Sequence, residues 1–455
     1  MFLNIKLFQH RKLILYYAFL FSLVQLNAPC AHEVNKNAIT LLTAKNKAGK
    51  TVGTGSGFIV KPEGTLITNY HVLVDAHSVQ AHLPNGTKVN VKEIYKIDRI
   101  KDFAILKLEK GIYSTLELGD STKLKAYDYA SALGYLSENV KETNNVIQGI
   151  VKQTYGFVLG IHPQALPDVP FIYTTTEFGP GFSGGPLVDK SNKVVGIATI
   201  EGRSINLSIP IQHIKPFLNK SDTFNFDELL RQDKTSKEAM YYRGNFYLHG
   251  LGEPNKAIEE LKKILRLDPS FSLAHYDLAV AYRNLGMEEE AIREYEKAIA
   301  LQPNFPEALS NLGGYYFRVG KTEQALNLFK KAIKIYPNFI QALSNLGAVL
   351  NKIGKPKEAI PYLKKALHLN PEFAIASFNL ANSQFALNHY DQAQKSFERS
   401  AELGLDFLSM HWKLYKIHLE RKAYKRATKE LEKILEMDPL NEEAGKKLSE
   451  LPKLH

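Results

Sequence analysis

Cysteine is almost missing from this 455-residue chain, whose one example is Cys30. It lies in residues 1–31, where Lys6, Arg11 and Lys12, with no acid, precede the apolar run Leu13 to Leu26 and the stretch Asn27-Ala28-Pro29-Cys30-Ala31. That order of basic, apolar and small residues reads as a secretory signal peptide cleaved near Ala31. Pro29 before Cys30 suits lipidation badly. Without residues 1–31 the chain has no cysteine, so stability has to come from packing even in an oxidising compartment. The apolar run is also short of the ~20 residues that span a bilayer. Membrane association is therefore expected only if the segment stays uncleaved as an anchor, and the expected location is outside the cytoplasm, periplasmic or extracellular.

A block of one charge is missing too. The net charge of +11 divides as +3 over residues 1–31, +4 over 32–218 and +4 over 219–455, with acids and bases interspersed. Nucleic-acid binding needs a clustered basic face, so no nucleic acid is expected. The chain also lacks His-Glu-x-x-His, paired Cys-x-x-Cys and a Gly-x-x-x-x-Gly-Lys phosphate loop. No metal and no organic cofactor are expected on that ground.

What is present falls into two textures. From Ala38 to about Leu218 short β-branched and aromatic runs alternate with Gly, Pro and Asn, among them Phe58 to Val60, Leu66 to Thr68, Val89 to Tyr95, Phe103 to Leu108, Val194 to Ile200 and Ile205 to Ile209. Many short strands with regular turns imply an all-β barrel or sandwich. Residues 219–236 lose the alternation and read as a polar, partly helical linker. Then alanine recurs at 257, 291, 325, 359, 393 and 427, a spacing of 34, with proline at 269, 303, 337, 371 and 439. Gly252, Gly286, Gly320 and Gly354 stand five places before the alanine, where a turn between helices belongs. This pattern resembles the tetratricopeptide repeat, six copies over 237–441, enough to bury a core by stacking, with residues 442–455 as capping helix and tail.

One constellation carries chemistry. Ser183 sits in Gly181-Phe182-Ser183-Gly184-Gly185-Pro186-Leu187, downstream of Thr68-Asn69-Tyr70-His71 and Lys101-Asp102-Phe103-Ala104-Ile105-Leu106. The order His, Asp, Ser with the serine in a glycine turn suggests a serine peptidase. The turn lets Oγ reach a carbonyl carbon while backbone N–H groups, those of Gly181 and Ser183, point at the oxyanion.

With Thr54-Gly55-Ser56-Gly57-Phe58-Ile59-Val60 these motifs resemble the HtrA/Deg branch of trypsin-like peptidases, over roughly residues 36 to 218, with 31 residues from His71 to Asp102 and 81 from Asp102 to Ser183. The resemblance implies a double β-barrel peptidase domain over 32–218, followed by the all-α repeat solenoid. It makes His71 the base, Asp102 its orienting acid and Ser183 the nucleophile, with the site in the cleft between barrels. His77 and His82 compete for the base and Asp98 for the acid, but only His71 follows Thr-Asn-Tyr and only Asp102 precedes the apolar strand. Ser56 reads as a strand-entry residue. Phe182 replaces the small polar residue usual in this branch and is expected to pack against the barrel.

By the same resemblance the specificity pocket is walled by Thr199, Ile205, Asn206 and Ser208. Glu201 and Asp189 read as loop residues, so cleavage after small or medium apolar residues is expected. The family commonly carries PDZ modules where this chain has repeats. Those repeats offer a candidate protein-binding groove: Tyr242, Tyr276, Phe378 and Trp412 share one register, and Asn311 and Asn345 lie one place on. The asparagines read equally well as groups that bond neighbouring turns. The leading expectation is an exported endopeptidase acting on unfolded or partner-delivered proteins. The alternative is a silent or latent scaffold. A homo-oligomer is compatible with both.

Overall fold

The computed structural model describes residues 34–136, 141–143, 146–148, 150–163, 170–176, 178–179, 181–199, 206–219 and 223–451. The predicted signal peptide lies outside them. Two six-stranded closed barrels are followed by a long helical array, the architecture expected from the two sequence textures.

The first barrel is built from β1 (Ile39–Lys45), β2 (Thr51–Lys61), β3 (Thr65–Thr68), β4 (Ser78–His82), β5 (Lys88–Asp98) and β6 (Phe103–Leu108), in the closed order β1-β2-β3-β6-β5-β4. The second uses β7 (Tyr129–Tyr135), β10 (Val151–Pro163), β11 (Pro170–Thr174), β12 (Pro186–Asp189), β13 (Val194–Thr199) and β14 (Asn206–Pro210), closing as β10-β11-β14-β13-β12-β7; a small hairpin, β8 (Lys141–Thr143) and β9 (Val146–Gln148), stands apart. Closure leaves no strand edge unpaired around either barrel.

The segment read as a linker is packed. Helix α1 (Phe226–Asp233) starts at Asn225, whose side chain accepts the Glu228 N–H at 2.9 Å. It buries Phe226, Leu229 and Asp233, and its apolar residues join the core of the first barrel beside Tyr70, Val72 and Leu73. Ala239 of α2 (Lys237–Asn245) belongs to the same core.

Helical pairs follow: α3 (Pro254–Leu267), α4 (Ser272–Asn284), α5 (Glu288–Leu301), α6 (Pro306–Arg318), α7 (Thr322–Ile335), α8 (Ile340–Lys352), α9 (Pro356–Leu369), α10 (Ala374–Ala386), α11 (Tyr390–Glu402), α12 (Leu408–Glu420) and α13 (Tyr424–Met437), capped by α14 (Glu442–Glu450). The 34-spaced alanines are all buried, because only a small side chain lets two helices cross closely there. The turn residue has positive φ in every repeat: 64° at Gly252, 74° at Gly286, 80° at Gly320 and 74° at Gly354, then 57° at Asn388 and 54° at Lys422. Glycine adopts this without strain and asparagine tolerates it, whereas Lys422 takes it at a cost of about 1 kcal/mol.

The array folds back onto the peptidase half. Tyr336, just beyond α7, packs on Tyr173 of β11 with ring centroids 4.4 Å apart and the rings tilted at 48°, and Asn338 donates to the Leu159 carbonyl at 2.8 Å. One continuous core runs from Tyr173, Ile197 and Leu207 into Leu309, Phe339, Ile340 and Leu343.

Candidate active site

Strand β3 ends at Thr68 and the chain turns into a short 3-10 segment, His71–Leu73, which sets His71 at the barrel rim. Asp102 occupies the turn from β5 to β6 with φ of 54°, a left-handed conformation that aspartate tolerates better than most residues. That turn is fixed from both sides. The Asp102 carbonyl accepts Asn69 Nδ2 at 2.8 Å, and its carboxylate accepts the His71 backbone N–H at 2.9 Å, His71 Nδ1 at 2.8 Å and the Thr199 hydroxyl at 3.1 Å. Donation from Nδ1 leaves Nε2 as the lone pair available to take a proton.

Ser183 comes from the second barrel, on the turn between β11 and β12, and is buried. The turn presses into the first barrel: the Ser183 carbonyl accepts the Ser56 N–H at 2.7 Å. Gly184 has φ of 87°, and a Cβ there would stand 2.2 Å from the Ser56 carbonyl and 2.3 Å from Thr68 Oγ1. Only glycine fits. Within the turn Phe182 donates its N–H to Gly179, Gly184 to Ala198 and Gly185 to Phe182. Among the described residues the N–H groups of Gly181 and Ser183 have no such partner, which leaves the two predicted oxyanion donors available. No hydrogen bond joins Ser183 Oγ to His71 in this structure.

Ser56 corrects the expectation of a strand-entry residue. It sits inside β2, fully buried, where its hydroxyl accepts the Tyr135 N–H at 2.9 Å and donates to the Gly181 carbonyl at 2.6 Å. It thereby orients the peptide of Gly181, the predicted oxyanion glycine. The alternation Gly53, Gly55, Gly57 was the available signal: a Cβ at Gly55 would meet Val72 at 2.6 Å and the Ser183 carbonyl at 2.9 Å, so the strand is stripped of side chains where both halves of the site cross it.

Thr199, read as a pocket wall, spends its hydroxyl on Asp102 and so belongs to the acid's environment. Asn206 and Ser208 lie on β14, paired with Thr174 and Ile172 of β11, and Ser208 is fully buried. Ile205 and Glu201 lie outside the described residues. Phe182 is buried among Ala130, Val158, Ile172, Leu187 and Val195 and stacks on Phe178 at 6.4 Å between centroids. Its bulk therefore leaves the cleft. His77 stands beside Asp227 of α1, His82 bonds Thr43 inside the first barrel, and Asp98 accepts the Lys101 N–H in the turn; none of the three meets Ser183.

The six groove candidates are all half-buried. The Tyr276 hydroxyl accepts Asn311 Nδ2 at 3.0 Å and its ring meets Phe305; Asn345 accepts from Gln341; Phe378 packs on Phe397 and Phe407; Trp412 meets Tyr415 edge-on. Tyr242, at the start of the array, packs on Tyr241 within it and also on His71 of the first barrel.

Comparison with known proteins agrees with this geometry. The description "Trypsin-like peptidase domain" matches residues 55–197, and tetratricopeptide-repeat descriptions match 238–270, 260–293, 288–320, 306–339, 340–373 and 378–442. Serine protease HTRA1A of Danio rerio is 32% identical over 197 residues, 42% of this chain and 39% of that protein. The putative serine protease HhoB of a Synechocystis species is 34% identical over 167 residues, 35% of this chain and 38% of its own. Serine protease HTRA4 of Mus musculus is 31% identical over 222 residues, 48% of this chain and 42% of its own. The chain thus spans about two fifths of the length of these curated relatives. The solved HtrA-type protease AlgW with tripeptide is 26% identical with a TM-score of 0.35, covering 40% of this chain and 59% of that one. On its motifs, its two barrels and these matches, the chain carries a trypsin-like peptidase domain, similar in sequence to that of HtrA serine proteases, followed by an array of tetratricopeptide repeats.

Proposed function

We propose that this protein is an exported serine endopeptidase, periplasmic or extracellular, that hydrolyses peptide bonds in unfolded or partner-delivered proteins. The observation that carries the reading is the Asp102 carboxylate, bonded by His71 Nδ1 and Thr199, at the rim against which the Ser183 turn is pressed. In the reaction His71 Nε2 accepts the Ser183 proton as Oγ adds to the scissile carbonyl. The N–H groups of Gly181 and Ser183 hold the oxyanion, and the imidazolium, supported by Asp102, returns the proton to the leaving amine. Water, deprotonated by His71, then releases the acyl group from Oγ. The repeats recruit substrate or a partner protein.

A latent resting form is the second reading, favoured by the missing Ser183–His71 hydrogen bond, which such sites often complete only around substrate. Labelling of purified protein by a fluorophosphonate, with and without unfolded casein and beside Ser183→Ala, tests both. Labelling lost in the variant supports the endopeptidase, and labelling that needs casein supports the latent form. No labelling under any condition overturns the proposal in favour of a silent scaffold.

A further inference from the structure

The first helices of the array grip both loops that carry the base and its acid. On the histidine side, the Tyr70 hydroxyl donates to Asp233 at 2.6 Å, and Arg243 Nη1 reaches Asp75 at 2.9 Å, so the residues flanking His71–Leu73 are tied to α1 and α2. On the aspartate side, the Arg99 guanidinium bonds Asp233 at 2.8 Å and 3.0 Å, and the Arg99 carbonyl accepts the Tyr242 hydroxyl at 3.2 Å. Between the two loops stands the Tyr242 ring, 5.8 Å from the His71 ring at an interplanar angle of 31°, and edge-on to Tyr70 at 5.7 Å.

We propose that Tyr242 is a positioning residue for His71, which makes the start of the repeat array a working part of the catalytic site. The proposal rests on the peptidase reading above. An imidazole at a barrel rim reaches Ser183 only while its ring stays in the cleft, and His71, with a quarter of its side chain exposed, has room to swing outward. The Tyr242 ring, tilted against the imidazole, packs on it and limits that swing. Tyr242 is itself fixed through its hydroxyl on Arg99. The support beneath is stiff, because Asp233 is wholly buried and paired with Arg99 and Tyr70, and loosening the junction would strand a buried charge. Burial pushes the Asp233 carboxyl up, and the hydrogen bonds from Tyr70 and Arg99 act against that rise. Tyr276 shows that the register alone does not require this contact. One repeat further on, its hydroxyl bonds Asn311 within the array.

The test uses the full chain with Tyr242→Ala, Tyr242→Leu, Tyr242→Phe and Tyr242→Trp. Saturation kinetics of fluorophosphonate inactivation separate the maximal rate from the half-saturating concentration, and the downfield proton between His71 Nδ1 and Asp102, assigned by its loss in His71→Ala, reports the base directly. Tyr242→Ala is expected to lower the maximal rate about tenfold to a hundredfold, with the half-saturating concentration nearly unchanged and the proton broadened. Tyr242→Phe and Tyr242→Trp are expected to recover most of the rate, since a flat ring remains. Should Tyr242→Ala melt early, Tyr242→Leu keeps the volume without the ring and is expected to show the same loss. Wild-type rate and a sharp proton in both non-aromatic variants would overturn the proposal. If the wild type is not labelled, the peptidase reading fails, and the proton still decides: broadening in the non-aromatic variants supports positioning, and no change overturns it.

Discussion

The two barrels and the repeat array solve the same burial problem in opposite ways. In the barrels the partners at the candidate site are far apart in sequence: Asp102 meets His71 and Thr199, and Gly181 meets Ser56. In the array each helix packs mainly on the next, so His275 finds Glu294 and His411 finds Glu430, nineteen residues on in both cases. A motif in the barrels therefore marks a place where distant strands must converge, whereas a register in the array marks only a place within one repeat.

The largest effect is expected where distant groups converge. Asp102→Asn keeps the shape of the turn but presents His71 in the wrong tautomer, so the rate of Ser183 labelling is expected to fall by ~10⁴. Comparable labelling of wild type and variant would break the contrast at once. In the array, Phe329 is fully buried between α7 and its neighbours, and Phe329→Ala is expected to cost about 3 to 5 kcal/mol in urea unfolding followed by circular dichroism. Below that transition Ser183 labelling is expected to persist, because damage in a stack stays near its own repeat. Loss of labelling in parallel with helix would show that the two regions unfold as one.

A smaller effect sharpens the barrel side. Ser56→Ala removes the hydroxyl that holds the Gly181 carbonyl and leaves the buried Tyr135 N–H without its partner, a loss of about 1 to 3 kcal/mol. It is expected to appear as a lower maximal acylation rate with little change in half-saturation. The smallest effect is on the array side and depends on pH. Burial opposes the His411 imidazolium, but Glu430 at 2.6 Å and Asp406 at 2.7 Å outweigh it and raise its pKa above the ordinary value. A raised folded pKa adds stability that is complete below the ordinary histidine pKa and fades as pH rises through the folded one. Thermal unfolding of the array is expected to be later at pH 5.5 than at pH 8, with the difference reduced in His411→Gln.

Much of the fold was legible. Strands β3, β5, β6, β13 and β14 lie under the β-branched and aromatic runs named from the sequence, and the alanine period located the helix crossings. Strand β1 is buried at all but its last residue, so no exposed polar face marks it in the sequence. The polar residues between 219 and 236 suggested a linker because Asp233 and Arg99, charged and far apart in sequence, neutralise each other only once folded.

By itself the sequence determined the order of the two architectures, the turn that carries Ser183, and the residue types proposed for base and acid. These follow from local chemistry: glycine where φ must be positive, alanine where helices cross, and short motifs whose spacing is written in the chain. Tertiary structure alone decided that Thr199 bonds Asp102, that Ser56 holds the Gly181 carbonyl, and that Tyr242 packs on His71. Those roles depend on which distant surfaces are brought within hydrogen-bonding or ring-packing reach. Residue type and register leave that choice open until the barrels close and the array folds back on them.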